Sequence, residues 1–288
     1  MKQALIDLEQ RVDEALVTDD RSRIDVLGYG EISTVLRLTV DDRTYACKRL
    51  PPFPESAVGP YKEACTAYLV ALGERGIRTA SSTIEIVPTE GHSVIYCIQP
   101  IENVLLVDRL RTAARDEAAA LADHLVSVID EAIDERLGLD AQISNWALDS
   151  DGEFVYIDVT TPLIRDDDGS ELLDTDLFLA SLPAFLRPAV RRFLLGEILS
   201  HYYDARAALL DLIGNLKKER LGDAIPVFLD AANRVVDPPI TGKEIDRYYR
   251  NDAVMWEVLQ RLRKSDRWWQ RTVRRRSYPF LLPGKVDR

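Results

Sequence analysis

The feature that most constrains the fold is a change of periodicity near Gln99-Pro100. Before that point the chain runs in short stretches rich in β-branched residues. Residues 24–29, 34–40 and 44–50 read as three antiparallel strands, separated by Gly28 and Gly30 and then by Asp41-Asp42. Pro51-Pro52-Phe53-Pro54 forces a loop, and a helix is expected over 60–72, with Pro60 in its first turn and Gly73 near its end. Residues 84–87 and 93–98 add two strands around a turn at Glu90-Gly91. Beyond Asn103 the helical period prevails to about Arg275. The exception is 139–159, which reads as loop, strand, an Asp151-Gly152 turn and strand. Ahead of everything, Leu5, Leu8, Val12, Ala15 and Leu16 recur at helical spacing over 3–17.

A small sheet unit followed by a larger helical one indicates an α+β protein, not a doubly wound parallel sheet. The expected division is an N-terminal helix (1–21), a sheet lobe (22–100) and a helical lobe (101–288). A chain of 288 residues suits two packed lobes. The formal net charge of −11 argues against nucleic acid as a partner, because phosphate backbones are held by clustered cations. Cys47, Cys65 and Cys97 have no metal or redox spacing and read as buried thiols. No apolar run is long enough to span a bilayer and the start lacks an apolar signal core, so a cytoplasmic location is expected.

Phosphoryl transfer requires immobilised phosphates, charge neutralisation and a carboxylate beside the attacking hydroxyl. The chain offers a candidate for each. Gly28-Tyr29-Gly30-Glu31-Ile32-Ser33-Thr34-Val35 lies between two strands, where glycines let backbone N–H groups approach phosphates. Ala46 and Lys48 share one face of the third strand by alternation. A lysine on an inner face needs a partner, and Glu63 on the following helix is the candidate. Downstream, Asp140 precedes a polar loop closed by Asn145, and Asp158 ends the apolar run Val155-Tyr156-Ile157. A carboxylate placed there suits a hard metal ion.

In that ordered set the sequence resembles the protein-kinase-like superfamily, and more closely its aminoglycoside and choline kinase branch. The resemblance covers about residues 22–165. It implies a bilobal fold, ATP and Mg²⁺ as cofactors, and a small-molecule hydroxyl as acceptor. Asp140 would be the catalytic base, and Asn145 and Asp158 would hold the metal. Lys48, fixed by Glu63, would bind the α- and β-phosphates under the loop of Gly28, Gly30 and Ser33. Val35 and Ala46 would roof the adenine, and the backbone of residues 99–102, with Gln99 and Ile101, would read it. Gly138 replaces the family's usual His, Ser33 its third loop glycine, and Val159-Thr160 its Phe-Gly. The absence of a long activation segment favours small-molecule over peptide phosphorylation. A catalytically impaired nucleotide-binding or scaffold protein, and a protein or lipid kinase, are the alternative readings.

Two further features lie outside that set. Asp166-Asp167-Asp168-Gly169 reads as a solvated turn in preference to a cation site, and His92, His124 and His201 have no ligand spacing. From Arg261 to Arg288 ten Lys or Arg face two acids, interleaved with Trp268 and Trp269. Residues 261–276 could contact anionic lipid or capture an anionic substrate. The favoured expectation is that this helix docks on the acidic body, with both tryptophans as anchors. Residues 278–283 should pack down as an extended ending.

Overall fold

The computed structural model describes residues 1–30, 32–89, 91–101, 103–179, 182–275 and 278–283. Glu31, Glu90, Glu102 and Arg276, named in the expectations above, lie outside the described residues. The architecture is α+β, with a five-stranded antiparallel sheet in the first third and mainly helices beyond it. Helix α1 (Lys2–Thr18) leads into β1 (Val26–Tyr29), β2 (Thr34–Val40) and β3 (Arg43–Arg49). Helix α2 (Glu55–Glu74), β4 (Thr83–Thr89) and β5 (His92–Pro100) complete this part. The strand order is β1-β2-β3-β5-β4, so β3 and β5 are central.

The expected helix over 60–72 begins earlier, at Glu55, and carries Pro60 inside it. Pro54 takes the N-cap position with an extended ψ of 141°, which lets the helix start directly after it. Pro60 forfeits one intrahelical hydrogen bond. Tyr61, Ala64, Cys65, Tyr68 and Leu72 form one buried stripe that offsets the loss.

Period-two alternation gives the sheet two differently used faces. The outer face presents Leu36, Leu38, Cys47, Val94, Tyr96 and Ile98 to the apolar stripe of α1. One charged pair is sealed in that layer: Glu9 on α1 receives Arg49 Nε at 2.8 Å and Nη2 at 2.6 Å, and Tyr96 Oη at 2.6 Å. The inner face presents Ile95 and Cys97 towards α2 and the helical lobe. There Tyr68 and Leu72 join one continuous core with Leu125, Ile129, Trp146 and Phe228.

The helical part comprises β6 (Val104–Leu105), α3 (Leu106–Thr112), α4 (Arg115–Ala132) and a hairpin of β7 (Trp146–Leu148) and β8 (Phe154–Tyr156). Gly152, at φ +82°, makes the expected Asp-Gly turn. Then follow α5 (Asp176–Leu179), α6 (Arg187–Phe193), α7 (Leu195–Ser200), α8 (Ala205–Lys218) and α9 (Ile225–Ala232). The last helix, α10 (Gly242–Thr272), opens with a capping box between Thr241 and Glu244. It packs on α8 and then passes α1, where Arg267 pairs with Asp19 at 2.6 Å. Tyr278, Leu281 and Leu282 are buried, as expected of a packed ending, and Pro279 O accepts from Arg49. No described helix is long and apolar enough to cross a membrane.

The docking of α10 corrects one expectation. Its anchors are Ile245, Gln260 and Arg263, whereas Trp268 and Trp269 are 60% and 48% exposed. Helical spacing explains this: Gln260 and Arg263 recur on the inward face, and 268 and 269 fall on the far side.

Candidate active site

Lys48 emerges from the inner face of β3, opposite Val35 of β2 and Cys97 of β5. Its Nζ donates to Asp158 Oδ1 at 2.7 Å, with the two side chains 20% and 14% exposed. Burial raises the Asp158 carboxyl, but the Lys48 ammonium and the hydroxyl and N–H of Thr160 outweigh it and hold the group below its ordinary range. The expected partner, Glu63, is not involved. It is exposed on α2, because the stripe turned to the core is Tyr61, Ala64, Cys65 and Tyr68.

The Asp140 loop is built by alternation. Leu139, Ala141 and Ile143 enter the core, which turns Asp140 and Gln142 the other way. Asp140 Oδ1 accepts from Gln142 N at 3.3 Å, and Asn145 Nδ2 donates to Asp140 O at 3.1 Å. Asn145 O in turn accepts from Ile157 N at 2.9 Å, which ties the loop to the residue preceding Asp158. Asp140 and Asp158 both act electrostatically on the buried phenols of Tyr68 and Tyr156, which burial already pushes far up. The two hydrogen bonds through Asn145 therefore bring the three downstream residues into one loop cluster.

Two anchors on α2 escaped the sequence reading. Tyr61 Oη donates to Thr160 O at 2.8 Å, just past Asp158. Tyr68 Oη donates to Gly138 O at 3.1 Å, just before Asp140. Thus α2 is tied to both loops by phenols, and among the described residues Glu63 makes no ion pair. The seven-residue spacing of two tyrosines on an apolar stripe was the available signal. Gly138 also has a reason. A Cβ there would lie 3.0 Å from Tyr202 O and 3.1 Å from the Tyr203 ring, so a side chain at this position requires its neighbours to give way.

Val35 and Ala46, expected beside a nucleotide, lie half-buried on the face that carries Lys48. Gln99, paired with Ala46 across the ladder, uses its amide to donate to Ile157 O at 2.9 Å and Ser82 Oγ at 3.0 Å. Ile101 N donates to Thr44 O, so that N–H is already engaged, and its side chain is exposed. Gly28 lies beside a register shift in β1. At Gly30, Ser33 Oγ would stand 2.5 Å from an added Cβ, and Gly30 N donates to Ser33 O. Ser33 thus packs directly on the glycine and closes the hairpin.

The chain after Asp158 is pinned. Leu163 O accepts from Gly138 N, and Arg165 N donates to Arg136 O. The Arg165 side chain pairs with Glu171 at 2.8 Å and lies over the Tyr203 ring at 3.6 Å. Asp166 accepts from Ser170 N and Asp168 N, so the acidic turn is closed by its own backbone. Among the described residues no three His, Cys, Asp or Glu side chains gather as a metal cage. His124 packs on Phe154 at 5.0 Å, and His201 Nδ1 lies 2.6 Å from Glu197 O.

Beside the Asp140 loop lies a polar hollow lined by Gln142, Asp211, Asn215, Tyr248 and Asp252. Tyr248 Oη donates to Asp211 at 2.8 Å, and Asn215 Nδ2 donates to Gln142 Oε1 at 3.3 Å. Burial, with the nearby Asp252 carboxylate, raises the Asp211 carboxyl to about 6. No motif pointed to this group. Its burial depends on α8 meeting α10, where Tyr248 lies over Gly214.

The profile of DUF6206, a family of unknown function, matches residues 7–267, and the chain belongs to that family. No curated protein matches it. Among solved structures, the PknI kinase domain of Mycobacterium tuberculosis is similar at 16% identity, covering 82% of this chain and 85% of that one, with a TM-score of 0.35. A cysteine-to-alanine mutant of the same domain is similar at 15% identity, with coverages of 80% and 94% and a TM-score of 0.37.

Proposed function

We propose that this member of DUF6206 is a phosphotransferase of the kinase type, moving the γ-phosphate of ATP to a hydroxyl of a small molecule with Mg²⁺. The observation that carries the reading is the convergence of Lys48, Asp158 and the Asp140–Asn145 loop, joined through the Ile157–Asn145 hydrogen bond. Asp140 accepts the proton of the acceptor hydroxyl as its oxygen bonds to the γ-phosphorus and the bond to the ADP oxygen breaks. Lys48, whose Nζ donates to Asp158, contacts the α- and β-phosphates of the bound nucleotide. The Asn145 amide oxygen and the Asp158 carboxylate are hard oxygen donors of the type Mg²⁺ takes, and two protein ligands suffice where phosphates supply others. Bound there, the ion supplies neutralisation of phosphate charge.

The small-molecule acceptor is favoured by the path after Asp158, where backbone bonds at Leu163 and Arg165 and the Arg165–Glu171 pair pin the chain to the helical part. The exposed Glu63 supports a second reading, a nucleotide-binding protein that does not turn over. The discriminating experiment incubates the protein with ATP, Mg²⁺ and pools of hydroxylated metabolites and follows ADP release. The first reading expects turnover that Asp140→Ala abolishes. Turnover indifferent to Asp140 removes it, and nucleotide binding without turnover in any pool leaves the second.

A further inference from the structure

The outward side of α10 is used neither by the fold nor by the proposed phosphotransfer. The helix docks through Ile245, Gln260 and Arg263. At helical spacing on the opposite side stand Val254, Val258, Trp268 and Trp269, exposed by 61%, 47%, 60% and 48%. Arg261 and Lys264 are interleaved with them and exposed. In a chain of net charge −11, the solvent side of a surface helix should be polar and tolerant of acids. From Arg247 to Arg275, leaving out the inward Arg263, there are instead eight Arg or Lys against Asp252, Glu257 and Asp266. Some of these cations are engaged: Arg267 with Asp19, Arg271 with Val17 O, and Arg261 with Glu257 at 2.6 Å. Exposed Lys264, Arg274 and Arg275 sit around the tryptophan pair.

We propose that this face docks the protein on an anionic membrane surface, with α10 lying in the headgroup plane. Three properties fit that occupant together. Indole rings favour the interfacial layer, with an apolar body and a polar N–H. The cations match phospholipid headgroups in sign. The 31-residue helix is a rod of about 46 Å held along its other side, so the face meets a flat surface without rearrangement. A second copy fits less well, because it would add a further cluster of cations to this face and no compensating acidic patch. The proposal does not depend on the phosphotransferase reading.

The test is cosedimentation of the full chain with vesicles of phosphatidylcholine alone and of phosphatidylcholine mixed with phosphatidylserine. Binding is expected only to the mixed vesicles, and it should weaken as salt rises. Arg261→Gln and Lys264→Gln should each weaken it about fivefold. The double variant Trp268→Ser, Trp269→Ser should abolish it while the thermal midpoint stays unchanged, since both side chains face solvent. Sedimentation velocity without lipid supplies the other arm. No binding to mixed vesicles, or binding indifferent to the tryptophans, overturns the proposal. Self-association of the wild type that the double variant dissolves also overturns it and makes the face an interface between copies.

Discussion

Replacing Lys48 by Met removes the counter-ion of Asp158 and keeps the aliphatic stem. Breaking a buried ion pair from one side costs about 3–5 kcal/mol. Here the side chains retain 20% and 14% exposure and Thr160 still donates to the carboxylate, so the low end, about 3 kcal/mol, applies. For 288 residues the unfolding entropy is about 0.6 kcal/mol per kelvin, so the midpoint should fall by about 5 °C. The pH dependence is the sharper signature. In the wild type Asp158 is held below its ordinary value, so its stabilising contribution is present above the unfolded carboxyl pKa and is lost as pH falls through the folded one. In the variant the lowering by Lys48 is gone, so burial opposes ionisation of Asp158 against the Thr160 donors alone and the gain with rising pH shrinks. The gap between the proteins should be widest near about pH 8 and narrow through the carboxylate range. Urea unfolding followed by the fluorescence of buried Trp146 measures it. A gap below about 1 kcal/mol, the range of solvent-screened pairs, would refute the reasoning. So would a gap that does not change with pH.

Other perturbations separate the roles of neighbouring groups. Tyr61→Phe and Tyr68→Phe should each cost about 1 kcal/mol in urea unfolding, and if the proposed activity holds they should lower kcat more than ATP affinity. Glu9→Ala strands Arg49 in the outer layer and should cost about 3–5 kcal/mol, whereas the double variant Glu9→Met, Arg49→Met should lie closer to the wild type than either single change. Gly138→Ala forces a methyl against Tyr202 O and the Tyr203 ring, and calorimetry should show about 1–3 kcal/mol of destabilisation. Asp211 has a raised carboxyl pKa, so its ionisation penalises the fold above about 6 and not below the unfolded value. Asp211→Asn should therefore gain stability at alkaline relative to acidic pH, approaching about 3 kcal/mol, and equal effects at both would contradict that sign.

The two-part α+β layout was legible because β-branched runs and helical periodicity differ within a few residues of Gln99-Pro100. The start of α2 was not, because Pro60 is the stronger local signal and tertiary burial of Tyr61 to Leu72 overrode it. The closeness of Asp140, Asn145 and Asp158 was legible from their spacing, since one loop and one hairpin determine it. The partner of Lys48 could not. Glu63 stands on the exposed side of α2, a rotation about the helix axis that the chain order does not specify, and Asp158 takes its place. The tyrosine anchors and Asp211 depend in the same way on long-range packing that no local pattern encodes.

In the proposed function Lys48, Asn145 and Asp158 form a metal-dependent nucleotide site beside Asp140. Isothermal titration of ATP with and without Mg²⁺ tests it most directly. The wild type should bind ATP more tightly with Mg²⁺. Asp140→Ala should retain that binding, and Asp158→Ala should lose the effect of the metal. A folded wild-type protein that binds no ATP in the presence of Mg²⁺, or an Asp158→Ala variant whose Mg²⁺ dependence is intact, would contradict the assignment.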